Sequence, residues 1–456
     1  MKKILFIILS VFVLAAIPAQ GGKKSAEGPS LATLQVSAAG PRRLSVLLNS
    51  LDKQDMKARI IADPDVAGGY FYHYTASDNS VSLRAPKGYK PFYISHFGRH
   101  GCRHHSAESI YRHCLEALQK GERAQVLTAS GKALLAKMEI ISEDVMDCYG
   151  DLTPRGKKEH RGIAERMYEN YPEVFKAKKG QDVQIISKST VVPRCILSMT
   201  AFNERLKELD PSLKITNIAS RRYMRELTGI PLAKEADIYS QVRVTVDSLR
   251  REWVNPQRFI SSIFSDAEFV RKEIHHPEVL MYEMFLVAVI QQDTDYLNQS
   301  LYDAFTNDEL YTLWTVLNMQ GYCTMSPSSR FGGPIVSGVE PILEEIITTA
   351  DKVISGELKV AATLRFGHDS GLIPLFSLMG LKDIALDLPF DEVAEKWNLS
   401  DISPMASNLQ MIFYRNKKGL IKVRVLRNEK DALLPLDGPF YDWNELRNYL
   451  VNCYSH

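Results

Sequence analysis

Residues 93–106 read YISHFGRHGCRHHS, and this stretch decides how the rest of the chain is read. The run before it, Pro91 to Phe97, is rich in β-branched and aromatic residues and predicts a buried strand. From Ala107 to Gln119 the apolar residues Ile110, Cys114, Leu115 and Leu118 recur at helical spacing. With Ser106 as N-cap and Glu108 in the first turn, they predict a helix. Gly98 and Gly101 loosen the turn between the two. His100, flanked by Arg99 and Arg103, therefore falls where a strand hands over to a helix N-terminus. Anions bind at such places, because free backbone N–H groups and the helix dipole point outward there.

A second stretch has the same shape. In KVAATLRFGHDSGLIPLFSL (359–378), Val360 to Phe366 predicts a buried strand, Gly367 ends it, and Gly371 to Leu378 predicts the helix that follows. His368 and Asp369 thus occupy the same kind of junction as His100. If the two strands are neighbours in one parallel sheet, both junctions open into one crevice at the strands' carboxyl ends, where open α/β sheets bind ligands. The residue types suit a phosphoryl anion. A neutral imidazole can attack phosphorus and form a covalent intermediate, and arginines hold the phosphate oxygens in paired, charge-assisted hydrogen bonds. A nearby carboxylic acid can give the leaving alkoxide its proton.

The RHGCR of 99–103, with the HD of 368–369, resembles the histidine acid phosphatases, branch 2 of the histidine phosphatase superfamily. Three further blocks fit in order. YGDLTPRG (149–156) with His160 is similar to the family's "LTPRG…H" stretch. SKSTVVPRCILSMTAF (187–202) is similar to the segment that brings a third arginine, here Arg194. NLQMIFYR (408–415) and VRVLRNEK (423–430) resemble the C-terminal hairpin of the multiple inositol polyphosphate phosphatase and phytase group. The resemblance covers roughly residues 85–440 in blocks. It implies an α/β fold with a mainly parallel central sheet flanked by helices and an inserted α-helical cap. It also implies His100 as nucleophile, Asp369 as proton donor, and Arg99, Arg103, Arg194 and His368 as phosphate ligands. The expected activity is that of a phosphomonoesterase acting through a phosphohistidine. Inositol polyphosphates such as phytate are the favoured substrates; the alternatives are a broad-specificity histidine acid phosphatase and a non-catalytic binder of phosphorylated ligands. Two positions depart from the group. His368-Asp369-Ser370 stands where the inositol polyphosphate branch usually carries His-Ala-Glu, and His104-His105 stands where an aromatic and a proline are common.

At 456 residues, 45% hydrophobic and 24% charged, the composition is that of an ordinary globular protein. Lys2 and Lys3, the apolar run Ile4 to Ile17, then Ala19 and Gln20 form a secretory signal peptide, too short for a membrane span of about 20 residues. No cysteine follows it, so neither a lipoprotein anchor nor a stable membrane partner is expected once it is removed, and the product would be secreted or periplasmic. Loss of Lys2 and Lys3 leaves 54 basic against 54 acidic residues, which argues against a nucleic-acid partner. The expected partner is a phosphorylated small molecule; the oligomeric state is not legible. Of the six cysteines, Cys102 and Cys195 each neighbour a candidate arginine. A disulfide there would brace the site, and buried free thiols are the alternative.

In chain order the expected parts are a signal peptide (1–20), a flexible leader (21–45), the first part of the core (46–219), an α-helical cap (220–350) and the second part of the core (351–456). A helix is expected within Arg42 to Ala58, and Tyr70, Phe71, Tyr72 and Tyr74 are expected to pack over the core. A further helix is expected over Ser130 to Ser142. Thr153-Pro154 reads as an N-cap and first turn, Val183 to Ser187 as a strand before Arg194. Ser326 to Gly338 reads as a returning loop, and Gln410 to Tyr414 with Ile421 to Leu426 as a hairpin. Ser220-Arg221-Arg222 reads as a solvated charged face or as a contact for outer phosphates. His100, His104 and His105 could in principle gather a metal. The interleaved arginines argue against that, since guanidinium repels a divalent cation, and no metal or other cofactor is expected.

Overall fold

A computed structural model describes residues 55–75, 85–176, 182–229 and 235–454. The signal peptide, the leader and most of the helix expected over Arg42–Ala58 lie outside the described residues; a Met56–Ala62 helix overlaps the end of the last. The strand expected at the opening stretch is β1, Tyr89–Arg99. Its side chains alternate as a pleated strand requires: Tyr93 and Phe97 enter one apolar cluster and Ile94 another. Further strands are β2 (Gln184–Ser189), β3 (Lys214–Ala219), β4 (Ala362–Gly367), β5 (Asn408–Asn416), β6 (Ile421–Arg427), β7 (Lys430–Asp431) and β8 (Phe440–Asp442). They form one sheet in the order β3-β2-β4-β1-β5-β6-β7, with β8 on β6.

The pairing inferred for the two histidine junctions is present. β1 and β4 are parallel neighbours, with Arg99 opposite Gly367. β2 runs parallel to β4, with Ser189 opposite Phe366, so three strand ends finish level with one another. β3 is parallel to β2 at the sheet edge. On the other side of β1 the sheet turns antiparallel through β5 and the β5–β6 hairpin, which is the hairpin read from the sequence. β1 is therefore the seam between the parallel and antiparallel halves, and His100 leaves the seam.

Helices cover both faces. One cluster, with Ile163, Met167, Met199 and Phe202 of the Pro154–Asn170 and Pro193–Leu209 helices, packs on Leu364, Phe366 and Ile412. The larger cluster joins Ile110 and Leu118 of Glu108–Arg123, Phe285 of Pro277–Ile290, Trp314 of Asn307–Met325 and Leu372 of Asp369–Leu378. Side chains from 220–350 thus share one apolar cluster with helices of the preceding and following parts.

Three local expectations are corrected. Ala107, not Ser106, is the N-cap of Glu108–Arg123, and it makes no side-chain capping bond. The reason is that the chain after His100 first bonds elsewhere: Arg103 bridges Leu152, and His104 N donates to the Asp151 carbonyl at 3.0 Å. The Ser326–Gly338 stretch holds a short helix, Gly332–Ser337. A further helix, Glu340–Ser355, runs across the boundary placed at 350. Among the described residues all six cysteines are free.

Candidate active site

His100 is buried at the end of β1, and its main-chain N–H donates to the Gly367 carbonyl at 3.0 Å, which ties the two junctions together. Its ring Nδ1 lies 3.0 Å from the Gly101 carbonyl. A carbonyl can only accept, so Nδ1 carries the proton and Nε2 keeps the lone pair. Burial, then the fields of Arg194, Arg99 and Arg103, push this imidazole well below its ordinary value of 6.5, so it stays neutral and nucleophilic. The His368 ring stands edge-on to it, with centroids 5.5 Å apart.

The loop that carries His100 is gripped closely. Gly101 N donates to Ser198 Oγ at 3.1 Å, and Cys102 N to Glu159 Oε2 at 2.8 Å. A Cβ on Gly101 would come within 2.5 Å of the Gly156 carbonyl, and one on Gly156 within 2.3 Å of the Cys102 carbonyl. The glycines of RHG and PRG are therefore needed by each other. The Cys102 thiol donates to Glu159 Oε1 at 3.0 Å and the Cys195 thiol to the Gly367 carbonyl at 3.2 Å, so each braces the site without a disulfide.

The three arginines reach the crevice from different elements. Arg99, fully buried, donates through Nη1 to the Tyr70 and Ser403 carbonyls at 2.6 and 2.8 Å, and its Nη2 lies 2.9 Å from Asp369 Oδ2. That last contact is an ion pair without hydrogen-bond alignment, since Nη2 and Nε have no hydrogen-bond partner among the described residues. Arg103 donates to the His104 carbonyl at 2.8 Å and lies over the Phe71 ring at 5.5 Å. Burial and the two neighbouring arginines bring its pKa down to about 10. Arg194 sits in the first turn of Pro193–Leu209, directly after β2. A Cβ on Gly150 would be 3.6 Å from its Nη1, which places the YGD of 149–151 beside it. Its Nε also lacks a hydrogen-bond partner among the described residues.

His368 caps the Asp369–Leu378 helix, and its Nε2 is 3.5 Å from Thr190 Oγ1. Burial and Arg194 bring its pKa to about 3, so it too is neutral. Asp369 is the first residue of that helix, 3% exposed. Burial pushes its carboxyl up, but the fields of Arg99, His368 and Arg103 outweigh that and hold it below 3.8. The six residues named from the sequence therefore meet in one crevice. The sequence reading missed the groups that hold them: the Tyr70 and Ser403 carbonyls, Thr190, Ser198, Glu159 and Asp293. Glu159, next to His160 in the "LTPRG…H" block, and Thr190 and Ser198, inside the 187–202 block, lay within recognised segments. His160 itself is wholly buried between core groups, and Arg155 donates to the Gln292 carbonyl, so both support the fold.

A crevice of neutral imidazoles and guanidiniums at the carboxyl ends of parallel strands is chemically suited to holding a phosphoryl anion beside a nucleophile. The family model of the histidine phosphatase superfamily (branch 2) matches residues 282–428 of this chain. The chain is similar to multiple inositol polyphosphate phosphatase 1 of Gallus gallus, 22% identical over 377 residues, covering 78% of this chain and 80% of that one. The Homo sapiens protein of the same name is 24% identical over 388 residues, 74% of each chain. Solved structures show the same fold. A Bifidobacterium longum multiple inositol polyphosphate phosphatase in complex with inositol hexasulfate superposes with a TM-score of 0.72 at 19% identity, covering 84% of this chain and 97% of that one. The phytase from D. castellii gives 0.65 at 14% identity, covering 86% and 85%.

Proposed function

We propose that this phosphatase hydrolyses inositol polyphosphates, phytate among them, through a phosphohistidine at His100. The observation that carries the reading is the His100 ring itself: its Nδ1 is committed to the Gly101 carbonyl, and burial and three arginines keep it neutral. Arg103, Arg194 and the unaligned N–H groups of Arg99 take the non-bridging oxygens, with His368 as a further contact. Nε2 of His100 attacks phosphorus, the ester P–O bond breaks, and the leaving oxygen takes the Asp369 proton. In the second step water gives a proton back to Asp369 and attacks phosphorus, the P–N bond breaks, and phosphate leaves His100 neutral. Asp369 must be protonated to start the cycle, whereas its arginine neighbours hold it low in the empty site. A phosphate anion among those guanidiniums cancels their field and raises the carboxyl, so substrate binding itself loads the acid. Arginines carry the positive charge of this scheme, and it requires no divalent metal.

The helices of 220–350 are proposed to roof the crevice, with the exposed Arg221 and Arg222 as contacts for outer phosphates, and Met1–Gln20 to direct export. A broad-specificity acid phosphatase is favoured by one feature, Asp369 directly after His368, one residue nearer than in His-Ala-Glu. The test is turnover of phytate and of an aryl phosphate by wild type and by His100→Ala, with chelator present. Phytate turnover preferred over the aryl ester, abolished by His100→Ala and insensitive to chelator, is expected. Preference for the aryl ester favours the broad phosphatase. Binding without turnover of either establishes a binder, and chelator-sensitive turnover overturns the arginine-only scheme.

A further inference from the structure

Asp293 is fully buried in the Gln291–Leu297 turn and takes no part in the scheme above. Its Oδ2 accepts from the Arg103 main-chain N–H at 3.1 Å, while its Oδ1 has no hydrogen-bond partner among the described residues. The turn that holds it is fixed independently of the His100 loop. The Gln292 side chain accepts from His73 N at 2.9 Å and donates to the Asp65 and Val289 carbonyls, and the Gln292 carbonyl accepts from Arg155. Arg103, by contrast, makes no ion pair among the described residues, so no carboxylate holds its guanidinium directly. Beyond the His104 carbonyl and the Phe71 ring that it touches, the place of that guanidinium depends on where the main chain at 103 is pinned.

We propose that Asp293 is a positioning residue of the phosphate site, setting through the Arg103 main chain where that guanidinium meets the bound phosphate. The proposal rests on the phosphate-site reading above and adds to it a residue from the far side of the chain. What the Arg103 main-chain N–H requires is an acceptor oxygen at the Oδ2 position. Burial and the neighbouring Glu159 push the Asp293 carboxyl well above 3.8, which fits an uncharged acid in this role. An asparagine can reproduce that acceptor and an alanine cannot.

The experiment is calorimetric binding of inorganic phosphate to wild type, Asp293→Ala, Asp293→Asn, Arg103→Ala and the double variant Asp293→Ala with Arg103→Ala, with melting temperatures alongside. Asp293→Ala is expected to weaken phosphate binding about tenfold, the equivalent of one good polar contact. Asp293→Asn restores it to within about twofold, and Asp293→Ala adds no loss when Arg103 is already alanine, because its effect runs through that residue. Wild-type affinity in Asp293→Ala, a loss in Asp293→Asn equal to that in Asp293→Ala, or a loss that persists without Arg103 overturns the proposal. Should Asp293→Ala not fold, Asp293→Asn decides alone: a loss of about tenfold sinks the idea. Wild-type turnover is read separately, so the phosphatase reading and this proposal fail by different results.

Discussion

Two arginines on neighbouring strands, Arg365 of β4 and Arg99 of β1, are both wholly buried, yet they are surrounded in opposite ways. Arg365 is paired with a carboxylate and two hydroxyls: Nε meets Glu345 Oε2 at 2.5 Å, and Nη1 donates to Ser95 Oγ at 3.0 Å and Thr363 Oγ1 at 3.2 Å, while Nη2 has no hydrogen-bond partner among the described residues. Glu345 also takes Lys188 at 2.8 Å, and Lys188 reaches Glu226 at 3.1 Å, so positive and negative charges alternate. Two residues along the register, Arg99 stands with Arg103 and Arg194, and among the described residues Asp369 is the carboxylate that ion-pairs in this group. Burying charge is costly unless it is paired and hydrogen-bonded. A network whose charges balance within the protein suits the fold, and one left short of anion suits a ligand that brings the missing charge.

The largest expected effect tests the second network. Asp369→Asn keeps the shape and removes the proton, so kcat on an alkyl phosphate should fall on the order of 10²- to 10⁴-fold, the usual range for general acid catalysis. An aryl phosphate with a good leaving group needs that proton less and should lose far less. Steady-state rates on the two esters check this, and equal losses would remove Asp369 from the acid role.

The charge-balanced network should respond in stability instead. Glu345→Gln leaves Arg365 and Lys188 buried beside a neutral group, and unfolding in urea should show a loss of roughly 3–5 kcal/mol. The kcat of the molecules that remain folded should hold to within about twofold of wild type, as one expects of a residue outside the transition state. Full stability with lost activity would reverse the comparison.

Much of the second network was legible, and little of the first. RHGCR and HDS are local signals, since each places its charged residues within two or three positions of a glycine at a strand end, and the order of blocks implied Arg194. The parallel pairing of β1 with β4 followed from two similar strand-to-helix junctions. What holds those residues was hidden because it is made of long-range and main-chain contacts. The carbonyls of Tyr70 and Ser403 have no residue signature, and Asp293 reaches Arg103 across 190 positions. Arg365 was passed over for a related reason: in TLRFG it reads as a strand residue like its neighbours, and Glu345 lies on a helix whose link to β4 only the fold reveals. The N-cap at Ser106 failed because local helix signals carry no information about the bridge from Arg103 to Leu152.

A smaller effect should come from Arg194→Ala. Removing one donor from an oxyanion-type cluster costs about 10²- to 10³-fold in kcat, roughly 2.7–4 kcal/mol of barrier. Because Arg99 and Arg103 repel this guanidinium in the empty site, the melting temperature should stay level or rise. A fall comparable with that of Glu345→Gln would mean that Arg194 belongs to the fold's network and not to the ligand's.

Acid distinguishes the two networks by the smallest effect, spread over a window of pH. Arg365 and Lys188 overcome the cost of burial and bring Glu345 from 4.5 down to about 2. A carboxyl lowered by folding adds stability that is complete above its unfolded value, and that stability drains away as pH falls through the folded one. The Glu345 share is thus full above about pH 4.5 and lost towards about pH 2, at most roughly 3 kcal/mol at 1.36 kcal/mol per unit. Asp369, held below 3.8 by Arg99, contributes in the same direction. Saturating phosphate separates them. By neutralising the guanidiniums it raises the Asp369 carboxyl and shrinks that residue's share, while the Glu345 share, paired within the protein, is untouched. Urea unfolding across this range should therefore keep most of its acid slope with phosphate present and lose it in Glu345→Gln; a slope abolished by phosphate alone would place the acid-sensitive charge in the ligand's network.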